Sequence, residues 1–296
     1  MKKVVRMLGL CALVALAVTA CKKKDTDGKV TFKATITQPT SNSRTFITGA
    51  SELGGKALNW KGDEEINLFN KNLTENNNMI FTVLGNDAQY AYFEGSSAFL
   101  AGIGTPGNFI AFYPNAVKNS QGKVEMTIPD QQYYAWPFSA DGIYPMYGFN
   151  TDHNIDFESH AGVLGLQFML DPTSPLYSNS GSLLEIPLQK IVLTGFDNPE
   201  SGDKDVLTGT MVYDLDGNYT MSNTGNSIEL IGGSLLNNAS IDFYFVLPEG
   251  ALANGFTVQL IRDNGTSITY EGQGGHAIER EHITFMPQIW IRKNFE

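Results

Sequence analysis

The chain has 296 residues, with 20 Lys and Arg against 31 Asp and Glu, and a formal net charge of −11. Such an acidic surface repels phosphate backbones and excludes nucleic acid as a predicted partner. Hydrophobic residues make up 42% of the chain, which is enough to build a packed core and excludes a disordered body.

The N-terminus predicts export. Lys2, Lys3 and Arg6 form a basic start, and an apolar run over residues 7–17 follows. This run is well short of the roughly 20 apolar residues that a membrane-spanning helix needs. Residues 1–20 are therefore interpreted as a secretory signal peptide.

Cys21 is the predicted lipid-attachment residue. The sequence Val18-Thr19-Ala20-Cys21 resembles a bacterial lipobox, which implies cleavage between Ala20 and Cys21 and lipid on the Cys21 sulfur. The alternative is an ordinary signal with an incidental cysteine. Because Cys11 lies in the removed segment, the mature chain keeps one thiol, so no disulfide, cysteine-based metal site or cysteine nucleophile is expected. Residues 21–29 are predicted to form a charged tether between lipid and body.

The body of the chain is predicted to begin with a strand. Val30, Phe32, Ala34 and Ile36 alternate with polar residues over 30–37, which is the pattern of a strand with one buried face.

Short β-rich segments follow at spacings of about ten residues, and no convincing helical stripe interrupts them. They are predicted at 66–69, 79–84, 89–94, 108–113, 123–128, 162–170, 186–196, 207–215, 218–221, 243–247, 256–262, 266–271 and 283–292. Asp216-Gly217 and Asn264-Gly265 are typical of tight hairpin turns, because their residues accept positive φ. Many short strands between turn signals favour β-sandwiches over a parallel sheet.

Two domains are predicted. The segment 129–150 is poor in charge and rich in Pro, Gly and Tyr, and it is the best candidate for a divider. We therefore expect one β-sandwich over 30–150 and a second over 151–296.

Several motifs in a fixed order carry a resemblance to a known family. After the lipobox and the first strand come Ser43-Arg44-Thr45, WKGDEEI at 60–66, FIAFYP at 109–114, PDQQ at 129–132, FESHA at 157–161, and the strands at 243–248 and 283–291. In this order the chain resembles the fimbrillin family of Bacteroidales, in particular its minor-fimbrium-like branch. The resemblance spans nearly the whole mature chain.

The resemblance implies an all-β fold of two transthyretin-like β-sandwich domains in tandem, and pili that are built from lipoprotein precursors. In the major pilins of the family an arginine-specific protease removes the leader together with the first strand, and a strand of another subunit fills the groove. Carried over, Arg44 is the candidate processing residue, and the strand with Val30, Phe32, Ala34 and Ile36 is the candidate exchanged strand. For exchange between neighbouring molecules, we expect this strand to be the outermost strand of its sheet. The implied partners are other fimbrial subunits and a receptor on a host or bacterial surface.

An uncut chain would remain anchored to the outer membrane through the lipid on Cys21. That outcome suits an accessory, tip or anchor component better than a shaft pilin. Either way the chain is expected at the cell surface, in or beside a fimbrium.

An aromatic segment supports a different function. Tyr133, Tyr134 and Trp136 are candidate glycan contacts, because exposed aromatic rings stack on sugar rings, and the chain would then be a surface glycan-binding lipoprotein. The alternative is that these side chains pack between domains.

No motif of a known catalytic class occurs in the sequence, and neither an enzyme activity nor a cofactor is expected. His276 and His282 can share a strand face, with Glu279 and Glu281 on the other face, but without a third ligand no metal site is predicted. His160 has the parity of core residues and is interpreted as a core histidine.

The segment 214–218 carries Asp214, Asp216 and Asn218 and resembles part of a calcium-binding loop. It lacks the later ligands and the glutamate that such a loop requires. We therefore interpret it as a hairpin turn.

Overall fold

The computed structural model describes residues 28–36, 60, 64–70, 79–87, 90–96, 109–114, 118–120, 123–134, 143–150, 153–174, 176, 186–214, 216–236, 241–275, 277–292 and 295–296. All regular structure in these ranges is β-strand, which confirms the predicted all-β class. In the same ranges, no helix has the length and apolarity needed to cross a membrane.

The first half of the chain contributes strands to the barrel and to two other sheets. They are β1 (Lys29–Ile36), β2 (Glu65–Asn70), β3 (Met79–Asp87), β4 (Tyr90–Ser96), β5 (Phe109–Tyr113), β6 (Lys118–Ser120), β7 (Lys123–Ile128), β8 (Gln131–Tyr133), β9 (Met146–Asn150) and β10 (Asn154–Ser159).

The second half contains longer strands. They are β11 (Ala161–Leu170), β12 (Ile186–Gly195), β13 (Thr208–Tyr213), β14 (Tyr219–Gly225), β15 (Ser227–Leu236), β16 (Ile241–Pro248), β17 (Gly255–Arg262), β18 (Ser267–Gln273), β19 (Ile283–Phe285) and β20 (Ile289–Ile291).

Seven strands of the N-terminal part form a closed barrel in the order β1-β10-β9-β5-β2-β3-β4. Its neighbours pair antiparallel, except that β1 and β10 run parallel. The sheet of this part of the chain is thus closed on itself by backbone hydrogen bonds.

The expected outermost position of the first strand is wrong. β1 has a hydrogen-bonded neighbour on each side, β4 along Lys29–Thr35 and β10 along Lys33–Ile36. The alternation of apolar and polar residues specifies which face of a strand is buried, but it carries no information about how many edges are paired. β1 is therefore an interior strand of the barrel.

Two further sheets pack face to face in the C-terminal part. The inner sheet contains β16, β11 and β19, with β20 also paired to β11, and the outer sheet has the order β18-β17-β12-β15-β8. Leu166, Phe168 and Phe245 of the inner sheet share a core with Leu193 and Val258 of the outer sheet. This pair of sheets is the sandwich that the turn signals predict.

The other face of the inner sheet is also apolar. Val163, Tyr244 and Val246 belong to the first core, together with Met211 and Tyr213 of a bridging sheet in the order β14-β13-β7-β6. Burial on both faces explains why β11 is apolar along almost its whole length instead of alternating.

Strand pairing crosses the predicted domain boundary between 150 and 151. β10 lies beyond that boundary but completes the barrel, whereas β7 pairs with β13 and β8 pairs in parallel with β15. Within the predicted divider, β8 joins the outer sheet and β9 joins the barrel. The two-domain division of the chain stays a prediction.

The hairpin predictions agree with the structure, whereas the last strand differs. Gly217 and Gly265 adopt φ of 83° and 84° in the turns before β14 and β18. The predicted strand 283–292 is divided into β19 and β20 around Pro287, which has no backbone N–H to donate to a ladder.

Candidate functional site

The candidate site is the position of β1 between β4 and β10. β1 pairs antiparallel with β4 from Lys29 opposite Ser96 to Thr35 opposite Tyr90. Its second half pairs in parallel with β10, and the Lys33 backbone N–H extends this ladder by donating to the His153 carbonyl at 2.9 Å. Both edges of β1 are therefore engaged with strands that lie far apart in sequence.

The four apolar residues of β1 all face the barrel interior. Val30, Phe32, Ala34 and Ile36 are 2%, 0%, 0% and 5% exposed. The strand thus supplies one complete stripe of the barrel core, as its alternating pattern predicts.

Aromatic rings fill the barrel beside that stripe. The Trp60 ring meets Phe93, Tyr113 and Phe157 edge-on, with ring centroids 5.1, 5.5 and 5.6 Å apart. Edge-to-face pairs of this kind add about 0.5–1.5 kcal/mol beyond the burial of their area. Phe93 lies on β4 and Phe157 lies on β10. Both strands that pair with β1 therefore contribute rings to this part of the core.

Ala34 is a small residue at a buried position of the barrel core. It lies opposite Ala91 of β4 and Ile155 of β10, and all three are fully buried. Well-packed core sites resist larger side chains. Any strand in the place of β1 therefore needs a small residue at this position.

Ionic contacts contribute little to holding β1. The Lys29 ammonium lies 2.6 Å from a Glu94 carboxylate oxygen, but the Lys29 side chain is 62% exposed, and exposed pairs are weak because of solvent screening. Apolar burial and backbone hydrogen bonds hold the strand, and both are contributions that another strand of suitable pattern can replace.

The other predicted site residues are distributed as follows. Ala20, Cys21, Arg44 and Trp136 lie outside the described residues. Tyr133 is 68% exposed, whereas Tyr134 packs on the second core, with its ring centroid 5.3 Å from that of Phe243. The two tyrosines therefore do not share one exposed aromatic platform.

His160 is a buried core histidine, as expected. Its Nδ1 lies 3.1 Å from the Tyr213 hydroxyl, and its ring stacks near those of Tyr147, Tyr213 and Tyr219. Burial, with a smaller effect of the nearby Arg280 charge, lowers the pKa of His160 to about 4. The histidine ties the barrel to the bridging sheet.

The described ranges contain no group of three or more His, Cys, Asp or Glu side chains suited to a metal ion. His276 lies outside these ranges, and His282 has its Nδ1 3.6 Å from a Glu279 carboxylate oxygen.

In the segment that resembles part of a calcium-binding loop, Asp214 Oδ1 accepts hydrogen bonds from the backbone N–H groups of Asp216 and Asn218 at 2.9 and 3.0 Å. This geometry is that of the hairpin turn.

Sequence reasoning found β1 and, at 89–94, its neighbour β4, but it missed its other neighbour, β10. Ile155 and Phe157 of β10 alternate with exposed residues, a local signal for a strand that was overlooked. The parallel pairing of β10 with β1 has no local signal, because more than a hundred residues separate the two strands.

Comparison with known proteins shows that solved structures share this fold. No protein-family model matches the sequence, and no curated protein matches it. A solved structure of a candidate cell adhesion protein from Bacteroides uniformis is 14% identical, with a TM-score of 0.53 over 90% of this chain and 93% of that one. The chain shares its fold with that protein.

Other solved structures are also similar. A candidate cell adhesion protein from Bacteroides ovatus is 14% identical, with a TM-score of 0.51 over 88% of this chain and 91% of that one. The tip fimbrial protein Mfa3 of Porphyromonas gingivalis, truncated at its C-terminus, is 11% identical, with a TM-score of 0.35 over 86% and 94%. The fold of the Bacteroides proteins agrees with the all-β architecture that the fimbrillin resemblance implies.

Proposed function

We propose that the chain is a fimbrial subunit, or an accessory, tip or anchor component of a fimbrium, that assembles by β-strand exchange and supports adhesion. The fold shared with candidate cell adhesion proteins supports this assignment. The resemblance to fimbrillins points to the same role.

One observation carries the proposal: an N-terminal strand is inserted between two strands of a barrel and supplies a stripe of its core. Because β1 precedes the rest of the body, a cut after Arg44 would separate it from the chain without breaking any other described strand. The interior position makes the vacant site a slot with two unpaired edges, which a single incoming strand can fill on both sides.

Energetics favour refilling over vacancy. Removing Val30, Phe32 and Ile36 forfeits roughly 1.5–3 kcal/mol for each side chain. It also leaves β4 and β10 with unpaired backbone groups, which are costly wherever water cannot reach them. A vacant barrel is therefore expected to take up a strand from another subunit, and the joint needs no cysteine.

The slot defines what a donor strand must look like. It must run antiparallel to β4 and parallel to β10, and place apolar side chains at every second position. The position equivalent to Ala34 requires a small residue, and the position equivalent to Phe32 accepts an aromatic ring.

The proposed location is the cell surface, with lipid on Cys21 anchoring the uncut precursor to the outer membrane. β19 and β20 pair with β11, and Glu296 exchanges two backbone hydrogen bonds with Ser267.

The experiment is to shear fimbriae from cells, purify them, and determine the mature N-terminus of this chain by mass spectrometry. A fimbrial subunit is expected in that fraction, and an N-terminus at Thr45 would support removal of β1. Finding the chain with lipidated Cys21 in the fimbriae would reject processing at Arg44. Absence of the chain from purified fimbriae would reject the fimbrial role.

A further inference from the structure

A second surface of the barrel carries an unusual combination of side chains. On the outer face of three adjacent strands, Tyr92 of β4 lies opposite Lys33 of β1, and Lys33 lies opposite Asn154 of β10. The Tyr92 side chain is 42% exposed, although most aromatic rings of the barrel are buried. The residues that carry an aromatic ring, an ammonium group and an amide therefore lie side by side on neighbouring strands, and such strands are about 4.8 Å apart.

The ammonium of this row is held in position. Lys33 Nζ lies 4.5 Å from the centroid of the Tyr90 ring, a cation–π contact, and the Tyr90 ring meets Tyr92 edge-on at 5.9 Å. Lysine side chains ordinarily lose much rotational freedom on binding a ligand. Here Tyr90 restricts Lys33 beforehand, next to the exposed ring of Tyr92.

Within the described part of the chain, the charge of Lys33 is not paired with a carboxylate. Glu94, on the same face of β4, pairs with Lys29 at 2.6 Å. Among the described residues, Lys33 forms no ion pair. The Lys33 ammonium is thus a hydrogen-bond donor that is held in position beside the exposed ring of Tyr92.

We propose that Tyr92, Lys33 and Asn154 form a carbohydrate-binding subsite. A sugar ring stacks on the Tyr92 face, and its hydroxyl oxygens accept hydrogen bonds from the Lys33 ammonium and the Asn154 amide. Tyr90 is a positioning residue that acts through Lys33. A single ammonium on a chain of net charge −11 does not make a site for polyanions, and the polar flanks do not suit an apolar peptide.

This subsite lies apart from Tyr133 and does not rest on strand exchange. It has one consequence for the proposed function: because Lys33 belongs to β1, departure of that strand would remove the subsite's central residue. Sugar binding is thus a property of the chain that retains β1.

The test is a glycan array probed with the mature chain and followed by calorimetry on the best ligand. The array carries oligosaccharides that end in galactose, mannose, N-acetylglucosamine or sialic acid. Tyr92→Ala is expected to weaken binding about tenfold. Tyr92→Phe is expected to retain binding, because the ring face is unchanged.

Two further variants separate positioning from contact, and one serves as a control. Lys33→Met and Tyr90→Leu are expected to weaken binding by similar factors, with no further loss when combined, because both act through the same ammonium. Tyr133→Ala, which removes a more exposed ring elsewhere, is the matched control and is expected to bind like the wild type. Absence of binding to every sugar, or loss with Tyr133→Ala but not with Tyr92→Ala, would overturn the proposal.

Discussion

Gln132 binds the backbone of Val246 with both ends of its side-chain amide. Its Nε2 donates to the Val246 carbonyl at 2.8 Å, and its Oε1 accepts from the Val246 N–H at 2.9 Å. The Gln132 side chain is buried, and β16 is an edge strand of the inner sheet. The amide of Gln132 makes the two hydrogen bonds that the backbone of a neighbouring strand would make with Val246. Since β8 itself pairs with β15, this one residue links the outer sheet to the inner sheet.

Replacing Gln132 by Ala is expected to lower the free energy of unfolding by about 2–4 kcal/mol, because a buried donor and a buried acceptor of Val246 both lose their partner. Chemical denaturation measures the change. Gln131→Ala, at the exposed neighbouring position, is the control and is expected to change stability by less than about 0.5 kcal/mol. Equal effects of the two substitutions would contradict the assigned role of Gln132.

Phe32→Ala tests the contribution of β1 to the barrel core. The side chain is fully buried, so its truncation is expected to cost about 3–5 kcal/mol of unfolding free energy. Thr31→Ala, on the exposed face of the same strand, is expected to change stability by less than about 0.5 kcal/mol. Equal stabilities of the two variants in denaturant titrations would show that β1 is dispensable for the core.

Two tyrosines with buried hydroxyl groups are expected to respond in opposite directions to loss of the hydroxyl. The Tyr270 hydroxyl is buried and has no hydrogen-bond partner among the described residues, so Tyr270→Phe is expected to raise stability by about 1 kcal/mol. Tyr213→Phe removes the hydroxyl that contacts His160 and is expected to lower stability by about 1 kcal/mol. Thermal unfolding of both variants provides the measurement, and destabilisation by Tyr270→Phe would refute the first expectation.

The lowered pKa of His160 predicts that the folded chain loses stability in mild acid. Its pKa is lowered from 6.5 to about 4 in the folded chain, so between these values the unfolded chain binds more protons. The free energy of unfolding is therefore expected to fall by about 3 kcal/mol as the pH decreases from 6.5 to 4. Below pH 4 the protonation of His160 lowers it little further.

The variant His160→Gln should lose this part of the pH dependence, whereas His153→Gln, at an exposed position, should retain it. Titrations should end at pH 4, so that Asp171 does not contribute. Hydrogen bonds from Thr173 and from Arg292 lower the pKa of Asp171 to about 2. The stabilising effect of this carboxylate is therefore lost only at a pH below the ordinary pKa of an aspartate. An unchanged pH profile in His160→Gln would contradict the assignment.

Local patterns were sufficient for much of the fold. The alternation at Val30, Phe32, Ala34 and Ile36 predicted β1 and its buried face, and glycines at turns predicted two hairpins. These features depend on neighbours within a few residues, and the physical chemistry of side chains and of φ determines them locally.

The neighbours of β1 could not be predicted in the same way. A strand that is apolar on one face has the same sequence whether one or both of its edges are paired, and the parallel ladder with β10 depends on residues far along the chain. The role of Gln132 was equally hidden, since a glutamine in a polar segment has no pattern that indicates a buried contact with Val246. Only the assembled sheets reveal both relationships.

The central claim is that β1 leaves its slot during assembly, and a disulfide lock tests it directly. Thr31 and Glu94 lie opposite each other on β1 and β4, where opposed Cα atoms are about 4.5–5.5 Å apart, within the range of a disulfide. A Thr31→Cys and Glu94→Cys chain should be absent from fimbriae when oxidised and should be incorporated after reduction. The matched pair Val212→Cys and Thr220→Cys, across β13 and β14, should be incorporated in both states. Incorporation of the oxidised Thr31–Glu94 pair at the wild-type level would contradict strand exchange at β1.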